Sequence, residues 1–299
     1  EGEYSDSIFD SLVLDSNGLR CRHTETSFEY GVEVTVQDAD GNRFSSYWWD
    51  ATPMLKDLNI KDCGEIAFKR AMSQIGPVKI ESGKYSMVIE SEVASRLVTP
   101  VLNALGGYSL QQKNSFMLDS LGKKMFPEWL NIWDRPVSVG ETGSRLFDSE
   151  GVATAEMPIV ENGVVKEYFV NTYMSRKMGV EATVEDATRP VVLPCFAPSV
   201  AEPVEATCGK EELMRIVGEG ILVTGFNGGN SNSATGDFSF GVEGFLFKDG
   251  KIVHPVREML ITGNLLTLWN NLLAAGNDAR FCKSKLIPTL AFGNVDFSA

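Results

Sequence analysis

Groups that ligate metals, move protons or attack carbonyls are few and scattered in this chain. There are two histidines. His23 lies in Cys21-Arg22-His23-Thr24-Glu25 on a β-like stretch, and His254 precedes Pro255. Neither has a second histidine one helical turn away, so no two-imidazole metal site can be read from spacing, and each reads as structural or surface. The five cysteines, Cys21, Cys63, Cys195, Cys208 and Cys282, form no Cys-x-x-Cys pair and point neither to a zinc knuckle nor to a redox dithiol. Ser239 sits in Asp-Phe-Ser-Phe-Gly, which is strand-like and lacks the first glycine of a nucleophile elbow. Forty acidic residues could pair in space, but no spacing singles out two of them. The residues therefore favour binding over independent catalysis.

The elements that would carry a binding site are clearer. Gly236–Leu266 begins with alternation, Phe238, Phe240 and Val242 sharing one face. Phe245 and Phe247 lead into Asp249-Gly250, and Ile252-Val253 return. An Asp-Gly pair between β-rich runs predicts a hairpin whose central residues need positive φ. Asp40-Gly41 and Asn162-Gly163 repeat the design. Leu265, Leu268, Trp269 and Leu272 then predict a helix with one buried face.

Elsewhere the pattern predicts β-structure from Glu1 to Asp50, with Phe28–Val36 alternating and Tyr47-Trp48-Trp49 a core or interface cluster. Helices are expected over Lys61–Ile75, stopped by Gly76-Pro77, and over Glu92–Leu105, kinked or shortened by Pro100. A strand at Tyr85–Ile89 joins them. Strands at Met157–Val160 and Val164–Val170 flank Asn162-Gly163, and a short helix at Tyr173–Met178 ends at Gly179. Thr183–Gly209 reads as an irregular surface excursion. A helix at Glu211–Val217 precedes a buried strand at Ile221–Thr224. Gly225–Ser233 (GFNGGNSNS) is the most loop-like run, either a flexible connection or a lip over a cleft, and it lacks the Lys-Ser/Thr of a phosphate-binding loop. Leu286–Leu290 suggests a last strand, entered through Pro288 at the sheet edge.

Composition excludes several classes. Of 299 residues, 43% are hydrophobic and 22% charged, ordinary for a globular domain. No apolar run is long enough to span a bilayer. The first residues, EGEYSDSIFDS, have neither the basic nor the apolar region of a signal peptide. Scattered, odd-numbered thiols fit a reducing cytoplasm. A net charge of −13 without a basic patch argues against direct nucleic-acid binding.

The Gly-Asp-Phe-Ser-Phe-Gly strand, the Gly-Phe…Asp-Gly-Lys-Ile hairpin, His-Pro-Val-Arg-Glu-Met and Ile-Thr-Gly-Asn-Leu-Leu resemble the C-terminal part of the TldD/PmbA family, also called modulators of DNA gyrase. Lys113–Phe126 (KNSFMLDSLGKKMF) and Gly143–Thr154 (GSRLFDSEGVAT) are also similar to family blocks. The resemblance implies an α+β, antiparallel-sheet-rich fold with packed helices. Residues 81–299 would form the C-terminal domain, and residues 1–80 would be the end of a larger N-terminal region. The family's catalytic branch carries HExxxH on a helix, completed by a cysteine near the C-terminus. Here the corresponding stretch is Ser91-Glu92-Val93-Ala94-Ser95-Arg96, with Ser91 and Arg96 in the vacated ligand positions and Cys282 near the place of the cysteine. The resemblance thus implies a TldE/PmbA-like, non-metal branch with no cofactor and no catalytic residue of its own. Its partner would be an HExxxH-bearing TldD-like paralogue, or a second copy in a stand-alone homodimeric binding module. Its substrate would be an unfolded peptide lying in a cleft for which Asn227, Asn230, Asp237, Phe238 and Ser239 are the candidates.

Overall fold

In the computed structural model, which describes residues 1–200 and 208–299, the chain begins with a meander. Strands β1 (Gly2–Leu14), β2 (Arg20–Gln37) and β3 (Arg43–Thr52) form a three-stranded antiparallel sheet. Helix α1 (Cys63–Ser73) buries Cys63, Ala67 and Ala71, and β3 buries Phe44 and Ala51. The small alanines allow close helix-to-sheet approach. The meander turns at Asp38–Asn42, where the Asp38 carboxylate accepts from the Asp40 and Asn42 amides.

The larger sheet is assembled from distant parts of the chain. Strand β4 (Gly83–Ile89) leads into α2 (Ser95–Ala104) and α3 (Gly107–Gln111). A small four-stranded sheet follows, from β5 (Ile132–Asp134), β6 (Met157–Glu161), β7 (Val164–Val165) and the later β8 (Pro190–Val192), in the order β7-β6-β5-β8. Between them α4 (Thr172–Met178) is capped by the Asn171 side chain and ends at Gly179 with φ 69°. After β9 (Cys195–Phe196) and α5 (Lys210–Val217) come the long strands β10 (Gly220–Ser231), β11 (Asp237–Lys248) and β12 (Lys251–Asn264). Helix α6 (Leu265–Asn270), β13 (Leu272–Ala275) and β14 (Leu290–Ser298) complete the chain. The strand order is β12-β11-β10-β4-β14-β13-β9, and Leu260–Thr262 also pair with Asp296–Ser298, so β12 meets β14 and five strands close into a ring. The architecture is α+β.

Both faces of this sheet are buried, which explains its near-continuous apolar runs. Met87 and Ile89, Ile221 and Val223, and Leu290 and Phe292 face one core; Val88, Leu222 and Ala291 face the other. In the larger core Trp269 meets Phe292 edge-on at 5.5 Å and Phe126 at 6.5 Å, and its indole N–H donates to the Leu97 carbonyl of α2. Bulges on β11 and β12 around Glu243 and Glu258 shift the register. On β11 Phe238, Phe240 and Val242 face the first core and Phe245 and Phe247 the second, as the even–odd alternation of a strand requires.

Several sequence expectations are corrected. Gly225–Ser231 is strand, not loop: Gly228, Gly229 and Asn230 pair with Gly241, Phe240 and Ser239 of β11. Glycine is needed because a Cβ on Gly229 would lie 2.1 Å from the Ser239 carbonyl, at φ 93°. The helix after Ile89 starts at Ser95, preceded by a turn in which the Glu90 carbonyl accepts from the Val93 and Ala94 amides. The helix at Leu265 ends at Asn270, because β14 offers backbone partners that draw Leu272–Ala275 into the sheet. The expected Val164–Val170 strand shrinks to Val164–Val165. Pro190, Val191 and Val192 are buried sheet residues rather than surface excursion; the part of that stretch over 201–207 lies outside the described residues. β14 is interior, with β4 on one side and β13 and β12 on the other, and Pro288 precedes it.

Candidate functional site

The turn from Glu90 to Arg96 joins the end of β4 to the start of α2 and separates two cavities, one of about 720 Å³ and one of about 610 Å³. The first is charged and lined by ion pairs. Glu90, 4% exposed, accepts from Arg70 of α1 at 2.8 Å and from Lys210 of α5 at 2.7 Å. Burial opposes its charged form, but Arg70 and Lys210 outweigh burial and hold the carboxyl below its ordinary value. Glu92 is gripped similarly. Its Oε1 lies 2.7 Å from Arg280 Nη1 and its Oε2 2.9 Å from Lys283 Nζ. The Lys283 ammonium also donates to the Glu92 carbonyl at 2.7 Å. Arg280 in turn lies over Trp48 and Trp49 of β3, 4.3 and 5.5 Å from the ring centroids, and Arg70 of α1 also lies over Trp48, at 5.3 Å. The expected aromatic cluster is therefore an interface, where Arg280, from the segment between β13 and β14, stacks on β3.

The family resemblance raises a metal site at this turn, and the side chains do not fit one. Ser91 and Arg96 supply no imidazole, and a guanidinium repels a cation. Both Glu92 oxygens are occupied by cationic side chains. Burial pushes the Cys282 thiol up, with Arg280 opposing the shift and Asp50 and Glu92 adding to it. Among the described residues no three His, Cys, Asp or Glu side chains converge in a metal-holding group. His23 lies in the N-terminal sheet, its Nε2 3.7 Å from Glu25, and His254 is on β12 with Nδ1 3.2 Å from the Pro255 carbonyl oxygen; neither reaches the turn through any contact observed.

The second cavity is of different character. β4 pairs with β10 only through Ile221–Val223. From residue 224 to 231 the edge of β10 turned away from β11 carries no strand among the described residues. The cavity lies between that stretch and α2, lined by Val93, Pro100, Phe116, Phe226 and Phe240 together with Ser95, Arg96, Asn103 and Asn230. Arg96 spans it: its guanidinium donates to the Gly229 carbonyl at 2.9 Å and sits over the Phe240 ring at 5.1 Å.

The five residues expected along a cleft are dispersed by the pleat. Asn230 lines the cavity. Asn227 is exposed on β10, its Oδ1 over the place where Gly241 lacks a side chain. Asp237 is tied into the turn by Thr235 and Asn264, which hold its carboxyl low. Phe238 is 5% exposed and stacks on Phe240 at 5.2 Å. Ser239 is exposed, between Asn230 and Thr262 on the neighbouring strands. Phe240, Phe226 and Phe116 were missed. The period of two in β11 marks Phe238 and Phe240 alike as core-facing, and only the departure of β4 leaves Phe240 beside a cavity.

Comparison with known proteins agrees with this architecture. Residues 82–299 match the PmbA/TldA metallopeptidase C-terminal domain, and residues 2–75 match the central domain of the same family. The chain is similar to Metalloprotease PmbA of Escherichia coli O157:H7, 30% identical over 263 residues, which are 85% of this chain and 56% of that protein. It is also similar to the PmbA homolog of Haemophilus influenzae, 35% identical over 215 residues, covering 72% and 46%. The chain thus spans about half the length of these relatives. Among solved structures, a protein described as a modulator of DNA gyrase from Bacteroides thetaiotaomicron superposes with a TM-score of 0.93 at 41% identity, covering all of this chain and 66% of that one. TldE from Thermococcus kodakarensis shares the fold, with a TM-score of 0.86 at 20% identity and coverage of 100% and 69%.

Proposed function

Because this chain belongs to the PmbA/TldD metallopeptidase family, we propose that it is a non-metal subunit that holds unfolded peptide for cleavage by an HExxxH-bearing, TldD-like paralogue. One observation carries the reading. Glu92, the carboxylate at the position of the catalytic branch's general base, is held by Arg280 and Lys283. Both of its oxygens are thereby turned to this chain's own cations rather than left to face a metal-bound water. What this chain contributes is an edge. Strand addition needs free backbone N–H and C=O groups on both partners, and the stretch over residues 224–231 offers them on this side apart from the Gly229 carbonyl, taken by Arg96, and the Ser231 amide, taken by the Asn230 side chain. Only an extended segment exposes a matching set, which is the reason for the preference for unfolded peptide. Ordering the substrate on a fixed strand lowers the entropic cost of presenting one bond to a neighbouring active site.

The test mixes the purified chain with such a paralogue and an unfolded, fluorescently quenched casein peptide. Cleavage by the mixture, exceeding that by the paralogue alone and absent from this chain alone, is the expected result. Robust cleavage by this chain alone overturns the assignment. Sedimentation showing a homodimer indifferent to the paralogue favours a stand-alone binding module instead. Binding to DNA is disfavoured by the charge of −13.

A further inference from the structure

Of the arginines lining the cavities named here and their neighbours, Arg70, Arg215, Arg257 and Arg280 each face a carboxylate within 4 Å. Arg96 forms no such pair among the described residues. Its observed hydrogen bond to the Gly229 carbonyl engages one of the five N–H donors of a guanidinium. The cavity it spans has no Asp or Glu in its lining. In a chain of net charge −13, an acid-free recess around a lone guanidinium favours an anionic occupant by charge complementarity. Phe240 holds the planar group from beneath, which leaves the edge of the fork for a carboxylate, the group whose geometry it matches. Phe116 and Phe226 add apolar surface beside it, and Asn103 and Asn230 add amides.

We propose that this cavity captures a peptide carboxylate on Arg96, with an apolar side chain against Phe116 and Phe226, so that the β10 edge receives peptides at or near their C-terminus. The inference rests on the strand-edge reading above and adds a chemical class of ligand to it. No bond forms or breaks; the recognition is an ion pair with two N–H···O contacts.

The experiment measures fluorescence anisotropy with an N-terminally fluorescein-labelled peptide of alternating Ser and Val ending in Phe. The peptide is made as the free acid, as the C-terminal amide, and as the amide with Asp after Phe. Binding is compared for the wild type, Arg96→Met and Arg96→Lys, with circular dichroism confirming that each variant is folded. The expected result is that the free acid binds about tenfold more tightly than the amide. Arg96→Met should erase that difference between acid and amide, and Arg96→Lys should keep part of it. If the Asp-amide matches the free acid, capture of a carboxylate stands and its source is a side chain. Equal binding of acid and amide to the wild type overturns the carboxylate proposal and leaves the strand-edge reading intact. Absence of binding by all three peptides overturns both.

Discussion

The guanidinium carbon of Arg280 lies 4.3 Å from the centroid of Trp48, placing a charge from just before β14 on an aromatic face of the N-terminal sheet. The same side chain binds Glu92 at 2.7 Å, so one residue joins the turn after β4 to strand β3. Arg280 is 18% exposed and Glu92 14%, so removing Arg280 takes a stacked cation from Trp48 and leaves a largely buried carboxylate with Lys283 alone. Arg280→Ala is expected to cost about 3 kcal/mol, read as a lower urea midpoint by tryptophan fluorescence. Arg280→Lys should recover only part of this, because an ammonium cannot stack flat on indole while pairing with a carboxylate.

Glu90 gives stability a defined pH dependence. Its carboxyl is held below its ordinary value of 4.5 in the folded state, burial being outweighed by Arg70 and Lys210. A depressed carboxyl contributes stability that is complete above the unfolded value and is lost as pH falls through the folded one. Glu90→Gln should therefore destabilise the protein at pH 7 by about 3 kcal/mol and flatten the acid limb of a plot of melting temperature against pH. An unchanged acid limb would show that the pair does not govern that limb.

Two glycines separate backbone from side-chain crowding. A Cβ on Gly244 would lie 1.8 Å from the Leu222 carbonyl oxygen, whereas one on Gly31 would lie 1.9 Å from the Tyr47 hydroxyl. The first obstacle is fixed in the β10–β11 ladder; the second is the outer part of a side chain that is 43% exposed and held there by one hydrogen bond from its hydroxyl to Glu3. Gly244→Ala should cost about 3 kcal/mol, and Gly31→Ala less than about 1 kcal/mol. Equal losses in chemical denaturation would contradict this account.

The Cys195 thiol is pushed up to about 12 by burial in the sheet, despite a hydrogen bond from the Ala275 backbone. At pH 8 it is protonated as well as inaccessible, and only the thiolate attacks. Ellman's reagent should label Cys195 at the rate of global unfolding, with mass spectrometry assigning the site. Labelling within seconds in native buffer would contradict the burial.

The sheet hairpins were legible because their signals are local. Asn162 and Asp249 adopt φ of 50° and 51° and are followed by glycines with positive φ, as Asn-Gly and Asp-Gly pairs predict. The segment at Gly225–Ser231 misled for a physical reason. Glycine-rich composition signals loop when a strand stands alone, but here those glycines let β10 run against β11, where a Cβ would strike backbone. The candidate cleft residues are spread over both faces for a related reason. Alternation tells which residues share a face, and not which face a departing strand uncovers.

By itself, the sequence determined the antiparallel β-rich character, the positions of the tight turns, the family resemblance and the lack of two neighbouring imidazoles, because each is written in residues a few positions apart. Tertiary structure alone decided that Glu92 is neutralised by Arg280 and Lys283, that β14 closes a ring onto β12, and that Arg96 spans an acid-free cavity. Those facts depend on residues up to about two hundred positions apart meeting within hydrogen-bond distance. Such meetings are set by the packing of both sheet faces, to which no short stretch of sequence has access.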